Sequence, residues 1–278
     1  LDDVPTIVIP PIDPGLEPNS REVSEAGLAN GSAAASTVET TTGSIAYTGG
    51  DPTTTITIDG VVVTGAANQV IPTGDHGTLT ITSVTATAIN YSYTLTERTT
   101  DGVDDEDSFL VVVTDGDGDT ASATLTIDIT DDVPTARADS DSLAAGQLTA
   151  DGNVLTGSGG TDTNATDGVA DTLGADGAAA GGAVVGVVAG VAGTASGGVG
   201  AVITGTYGTL TLSATGDYVY TRTAPQDVGG NDVFTYTIED ADGDTSTTQL
   251  TIHLDDVPTI VIPPIDPGLE PNSREVSE

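Results

Sequence analysis

Two short runs carry carboxylates at alternate positions: Asp115, Asp117 and Asp119 in TDGDGDT, and Asp240, Asp242 and Asp244 in EDADGDT. Alternate side chains on a tight, glycine-containing turn converge on one point, and a point ringed by carboxylate oxygens is suited to a hard cation. The flexible arrangement favours Ca²⁺, which takes about six to eight oxygens, over Mg²⁺, which holds to an octahedron and keeps its waters. Each run sits between two segments of period-2 alternation, so each is a loop between β-strands.

The spacing excludes an EF-hand. With Asp115 as the first loop position the twelfth is Thr126, and with Asp240 it is Thr251, where a bidentate Glu is required. The remaining ligands must come from elsewhere in the fold. Each acidic loop starts a final strand that runs away from it to the next DDVP, so the loop lies at the N-terminal pole of its unit. Asp240, Asp242 and Asp244 are therefore expected near the linker residues Asp131 and Asp132, and Asp115, Asp117 and Asp119 near Asp2 and Asp3. Asp255 and Asp256 occupy the same place in the next linker. The turn holding Asp101, Asp104, Asp105, Glu106 and Asp107 precedes a strand of the opposite direction, which assigns it to the other side of the joint. Secondary candidates are Asp167, Asp171 and Asp176 in a Gly-rich loop, followed by Glu22 and Glu25.

The elements that position these groups are repeated. The first twenty-five residues, LDDVPTIVIPPIDPGLEPNSREVSE, recur unchanged at Leu254–Glu278, an offset of 253 residues, so the sequence reads as one period of a tandem array plus the opening of the next. Inside the period lies a second repeat, with DDVPT at Asp2, Asp131 and Asp255. Ahead of each later copy run GTLTI and GTLTL, YSYT and YVYT, EDSF and NDVF, and LTIDI and LTIHL in the same order. The expected units are module 1 at 1–132, module 2 at 133–256, and a truncated module start at 257–278. In that last piece the strand-forming TIVI at Thr259–Ile262 has lost its own module.

Alternation such as Phe109, Val111, Val113 and Leu125, Ile127, Ile129, an Asp59-Gly60 hairpin signal, and the lack of any helix-length amphipathic window indicate an all-β chain of sandwiches with about seven or more short strands each. The uncharged stretch Ala178–Gly216 is rich in Gly and Ala, too weakly apolar for a membrane span, and reads as a strand or two with Gly-rich loops.

Charge narrows the partners. Asp plus Glu number 42 against 5 Arg and no Lys, a net charge of -37. That excludes a nucleic-acid surface, which needs cations against phosphate, and electrostatic docking on anionic membranes. Two carboxylates 4 Å apart repel by about 4 kcal/mol at an effective dielectric of 20, so cations are the expected partners. The absence of Cys removes disulfides and thiolate metal sites. His76 and His253, the two histidines, fall at non-equivalent module positions, and neither a nucleophile elbow nor a Trp sugar platform is present. No enzyme is expected.

In combination, NVL at Asn153, the runs Gly208–Leu212 and Tyr218–Thr221, D-x-D-G-D-T and DDVP resemble bacterial immunoglobulin-like repeats, module 2 being similar to a VCBS-type repeat of giant repeats-in-toxin adhesins exported by type I secretion. VSEAGL at Val23 and GSIAYT at Gly43 are similar to extender modules of those proteins. The resemblance implies two tandem immunoglobulin-like β-sandwich modules joined end to end. It also implies a bacterial cell-surface location and an extracellular spacer that interdomain Ca²⁺ stiffens, holding a distal adhesive domain away from the cell for adhesion or biofilm formation. The acidic run expected after NVL is interrupted by TGSGGTDTNATDG, and the nonapeptide calcium repeat of the family is absent. The expected partners are neighbouring repeats of the same chain and calcium ions, with no membrane insertion and a monomeric fragment. The alternative is a repeat that itself binds a glycan, a cell or another surface ligand.

Overall fold

The computed structural model describes residues 3–10, 21–50, 53–100, 105–161 and 167–258. Asp2, Asp101, Asp104 and the tail from Thr259 lie outside them. Among the described residues the only helix is a 3-10 turn at Glu25–Gly27, and no helix is long and apolar enough to cross a membrane.

The first unit has ten strands: β1 (Thr6–Val8), β2 (Glu22–Ser24), β3 (Thr40–Thr48), β4 (Thr55–Ile58), β5 (Val61–Val62), β6 (Gln69–Ile71), β7 (Gly77–Val84), β8 (Ala88–Leu95), β9 (Glu106–Thr114) and β10 (Thr120–Thr130). They form two sheets of five, in the orders β1-β3-β8-β7-β6 and β2-β10-β9-β4-β5. The second unit has eight: β11 (Asp139–Leu143), β12 (Thr149–Asn153), β13 (Val184–Ala189), β14 (Val202–Thr204), β15 (Gly208–Leu212), β16 (Asp217–Arg222), β17 (Gly230–Glu239) and β18 (Thr245–Leu254). Its sheets are β11-β18-β17-β13 and β12-β16-β15-β14. The chain is thus all-β, two immunoglobulin-like sandwiches in tandem.

Alternation makes the sheets two-faced, and the inner faces bury the core. One core runs from Val23 to Ile129 and the other from Leu143 to Leu254. Each is built on the same aromatic pair, Tyr93 with Phe109 and Tyr220 with Phe234, both edge-on with centroids 6.1 Å apart. Asp59 (φ 47°) and Gly60 (φ 78°) turn β4 into β5 with both central residues left-handed, the geometry that matches strand twist. The uncharged stretch of module 2 supplies β13 and β14 with glycine turns between them.

One pairing positions the site. In both modules the opening strand lies parallel to the last strand: β2 beside β10 with Ser24 opposite Thr130, and β11 beside β18 with Leu143 opposite Leu254. Residues that follow the opening strand therefore sit at the pole where the chain leaves the module.

Candidate metal centre

The two acidic loops fold alike. The Asp115 amide donates to the Asp119 carbonyl at 3.0 Å and the Asp240 amide to the Asp244 carbonyl at 3.1 Å. Asp115 Oδ1 accepts from the amides of Gly118 (3.2 Å) and Asp119 (2.9 Å), while Asp240 Oδ1 accepts from Gly243 (3.1 Å) and Asp244 (2.7 Å). This turn needs the left-handed backbone of Gly118 (φ 105°) and Gly243 (φ 115°), which glycine adopts without a Cβ penalty. Each set of three carboxylates brings ligand oxygens within 4.8 Å of one another.

At the joint, Asp131 and Asp132 follow β10 directly. Because β2 ends beside Thr130, Glu25 comes next to Asp131, and Glu25, Asp131 and Asp176 form a third group with oxygens within 4.8 Å. Glu25 is wholly buried. Its Oε1 accepts from the Thr99 amide (2.5 Å) and hydroxyl (2.8 Å), which fixes the carboxylate, and its Oε2 meets no donor. Asp131 Oδ1 accepts from the Asp132 amide at 2.7 Å, and its Oδ2 likewise meets none. From module 2, Asp176 (5 % exposed) and Asp240 (1 % exposed) each turn a bare Oδ2 inward. The carboxylates of Asp242 and Asp244 adjoin Asp131, which brings this group up against the acidic loop.

The electrostatics agree with an unmet need for positive charge. Burial, then the neighbouring carboxylates of Asp244, Asp242 and Glu25, push Asp131 well above the usual carboxylate range. Burial, then Glu25 and Asp242, do the same to Asp176, and burial with Asp242 raises Asp240. Among the described residues one cation reaches the joint: Arg98 of module 1 places Nε 3.4 Å from Asp176 Oδ1 and donates from Nη1 to the Asp176 carbonyl at 2.7 Å. Buried carboxylate oxygens without donors are costly. Glu25, Asp131 and Asp176, drawn from both modules and the linker, fit a hard divalent ion that takes oxygen ligands, and Asp240 belongs to the adjoining group with Asp242 and Asp244.

Asp132 is held differently. Its carboxylate accepts from the Ser32 amide (2.7 Å) and hydroxyl (2.5 Å), which ties the linker to module 1, while its carbonyl packs against Gly174 (φ 70°) of module 2. A side chain at Gly174 would meet that carbonyl. At the other pole Gly50 (φ 64°) packs in the same way on the Asp3 carbonyl and also approaches Asp115 Oδ2, a buried oxygen with no donor. Asp3 and the loop of Asp115, Asp117 and Asp119 are thus neighbours.

Other sequence candidates lie elsewhere. Asp107 is buried in module 1, where it accepts from the amides of Asp75, His76 and Gly77 and, at 2.6 Å, from the Tyr93 hydroxyl. It caps a turn and does not join the cation group. Asp232 does the same in module 2, accepting from Thr206, Tyr207 and Tyr220. Asp255 and Asp256 are exposed at the end of module 2. The loop 167–176 is divided. Asp176 belongs to the joint, whereas Asp171 shares the Tyr236 hydroxyl (3.1 Å) with Asp139 (2.7 Å) inside module 2. Glu22 accepts from the Thr130 hydroxyl at 3.1 Å.

Sequence reasoning placed Glu25 and Asp176 below the alternating aspartates, yet they are central. The signal for Glu25 was the parallel pairing of its strand with the last one. Without that pairing, residue 25 reads as part of the entry pole. Glu39, whose buried Oε2 also lacks a donor, packs on Gly27 at this rim and was not foreseen.

No family model matches the chain, and no curated protein matches it. Among solved structures it is similar to the N-terminal Ig1-2 module of a Drosophila receptor protein tyrosine phosphatase (13% identity, 90% of this chain, 98% of that one, TM-score 0.27). It is also similar to cadherin domains 3–6 of protocadherin gamma B7 (13%, 96% and 54%, TM-score 0.31) and to an endo-fucoidan hydrolase (15%, 73% and 24%, TM-score 0.26). The chain spans about a quarter of that hydrolase and about half of that protocadherin. These likenesses are in layout, and the functional reading takes nothing from them.

Proposed function

We propose that this chain is a spacer repeat of an extracellular bacterial surface adhesin, stiffened by calcium bound at its module joints. The observation that carries this reading is the set of donorless, buried oxygens of Glu25, Asp131, Asp176 and Asp240, contributed by two modules and the linker between them.

A linker of DDVPT is already restricted, since Pro134 disfavours helix for the residue before it and keeps the approach extended. Hinge motion remains, and clustered carboxylates favour it by pushing the modules apart. Bound calcium supplies the missing positive charge and a preference for many oxygen ligands. The chain's own residues do the rest. Thr99 holds Glu25, the Gly243 turn holds Asp240, and Ser32 fixes Asp132, so the ligands face one another only in one relative orientation of the modules. Joint stiffness then follows cation concentration, in the range of about 10⁻⁴ to 10⁻³ M usual for extracellular modules. The near-identical copying of the period supports a length function over a unique receptor site.

Small-angle scattering of residues 1–258 tests this. In millimolar calcium the distance distribution should be narrow and extended, and in excess chelator it should broaden. Identical profiles in the two conditions would refute the reading.

A further inference from the structure

The two joints of a period are built unequally. Residues Leu254–Glu278 repeat Leu1–Glu25, so the opening of another module 1 follows module 2. At the exit of module 1 the residue beside Asp131 is Glu25. At the exit of module 2, with Leu143 opposite Leu254 and the Asp255 amide donating to the Leu143 carbonyl at 2.9 Å, the residue beside Asp255 is Ala144. A methyl group stands where module 1 presents a buried carboxylate.

The position of Arg98 is also changed. The amides of Thr96 and Glu97 both donate to the His76 carbonyl, and those of Thr223 and Ala224 both donate to the Tyr207 carbonyl, so Pro225 takes the place of Arg98. The third tie is lost as well. Leu95 donates to the Glu39 carbonyl and Arg222 to that of Leu148, which equates Glu39 with Leu148. Between Gly27 and Glu39 runs the loop that carries Ser32, whereas between Gly146 and Leu148 there is Gln147 alone. Among the described residues nothing in module 2 clamps Asp256 as Ser32 clamps Asp132. The loop at 225–229 offers one carboxylate, Asp227, and it is exposed. The second linker is held at its root by the buried Arg222 guanidinium, which donates from Nη1 to the Asp255 carbonyl (2.8 Å), and by the Val257 amide, which donates to the Gln226 carbonyl (2.7 Å).

The entry pole of module 1 shows what the far half of such a joint offers: Asp115, Asp117 and Asp119 bring oxygens within 4.8 Å of one another, and Asp115, 7 % exposed, keeps a bare Oδ2 near Asp3, the counterpart of Asp256 in the repeated linker. We propose that the array alternates two classes of divalent-cation site: a module-bridging site after module 1, and a weaker site after module 2 built from the linker and the following module. The joints then stiffen at different calcium concentrations, and the rigid unit at intermediate calcium is the module 1–module 2 pair. This rests on the calcium reading above.

The test uses a chain of two consecutive periods, residues 1–253 followed by 1–258. The sequence has no Cys, so spin labels enter only where a Cys is introduced. Leu110→Cys and Val219→Cys, both on exposed strand positions, report the first joint when placed in one period. They report the second joint when Val219→Cys of the first period is combined with Leu110→Cys of the next. Pulsed dipolar distance distributions are followed against calcium chloride. The first joint should narrow at a calcium concentration at least about tenfold below the second, since ligand charge count and rigidity set calcium affinity. Glu25→Gln should move the first joint's midpoint up towards the second. Ala144→Glu, at an exposed position, should move the second joint's midpoint down, and it decides the matter if Glu25→Gln fails to fold. Equal midpoints, or no response to Ala144→Glu, overturn the inequality and leave the calcium reading standing. Absence of narrowing at both joints overturns the calcium reading itself.

Discussion

Glu25 and Asp131 bring carboxylate oxygens within 4.8 Å of each other although one opens its module and the other leaves it. The parallel pairing of β2 with β10 makes them neighbours, and Thr99 from a third segment holds Glu25 in place. Two like charges so close in a buried site are unfavourable unless a cation or a proton separates them.

Replacing Glu25 should therefore act in opposite directions with and without calcium. Glu25→Gln keeps an acceptor for Thr99 and removes one negative charge. In chelator its thermal midpoint should equal or exceed the parent's. In millimolar calcium the parent should gain more, so that the order reverses. Differential scanning calorimetry in both buffers checks this, and a Gln variant that gains as much from calcium as the parent would remove Glu25 from the ligand set.

Asp107 should behave as a structural residue. Its carboxylate satisfies three backbone amides and the Tyr93 hydroxyl, and buried donors stranded without an acceptor cost about 1 to 3 kcal/mol each. Asp107→Ala should lower the stability of module 1 by about 3 kcal/mol, equally in calcium and in chelator. A loss confined to calcium would return Asp107 to the cation site.

Much of this was legible from local rules. The alternation of Phe109, Val111 and Val113 gave strands, Asp59-Gly60 gave a hairpin, and DGD gave the convergent loops. The aromatic pairs follow from the repeated YSYT and YVYT, EDSF and NDVF runs. What escaped is what topology decides. Glu25 depends on a parallel pairing across more than a hundred residues, and Asp176 on the path of a Gly-rich loop that carries no periodicity. Asp107 looked like a ligand because a carboxylate that caps a turn and one that binds a cation have the same sequence signature.

Gly243 tests the loop itself. At φ 115° a side chain is strained even though open space surrounds the position. Gly243→Ala should cost about 1 to 3 kcal/mol through the backbone alone. It should also weaken calcium binding in titration calorimetry, because the amides of residues 243 and 244 no longer aim at Asp240 Oδ1. Gly200→Ala, another left-handed glycine in open space but away from the joint, serves as the control and should leave calcium affinity unchanged.

Inside module 2, Asp139 and Asp171 predict a pH dependence that needs no cation. Burial raises Asp139 from 3.8 to about 7, against the Tyr236 hydrogen bond, and burial raises Asp171 from 3.8 to about 6, against the Arg137 amide. Both folded values lie above the unfolded one, so the folded state binds protons more tightly across that interval. Their contribution to stability is complete below about pH 4 and is lost as pH rises to about 7. In chelator the thermal midpoint of module 2 should fall across this window. The double variant Asp139→Asn, Asp171→Asn should flatten the part of the slope these two groups supply, because an amide does not titrate, while the joint carboxylates contribute equally to both proteins. Midpoints read by circular dichroism at half-unit pH steps separate the outcomes. Parallel slopes for parent and variant would show that Tyr236 and the surrounding amides already stabilise both carboxylates in ionised form.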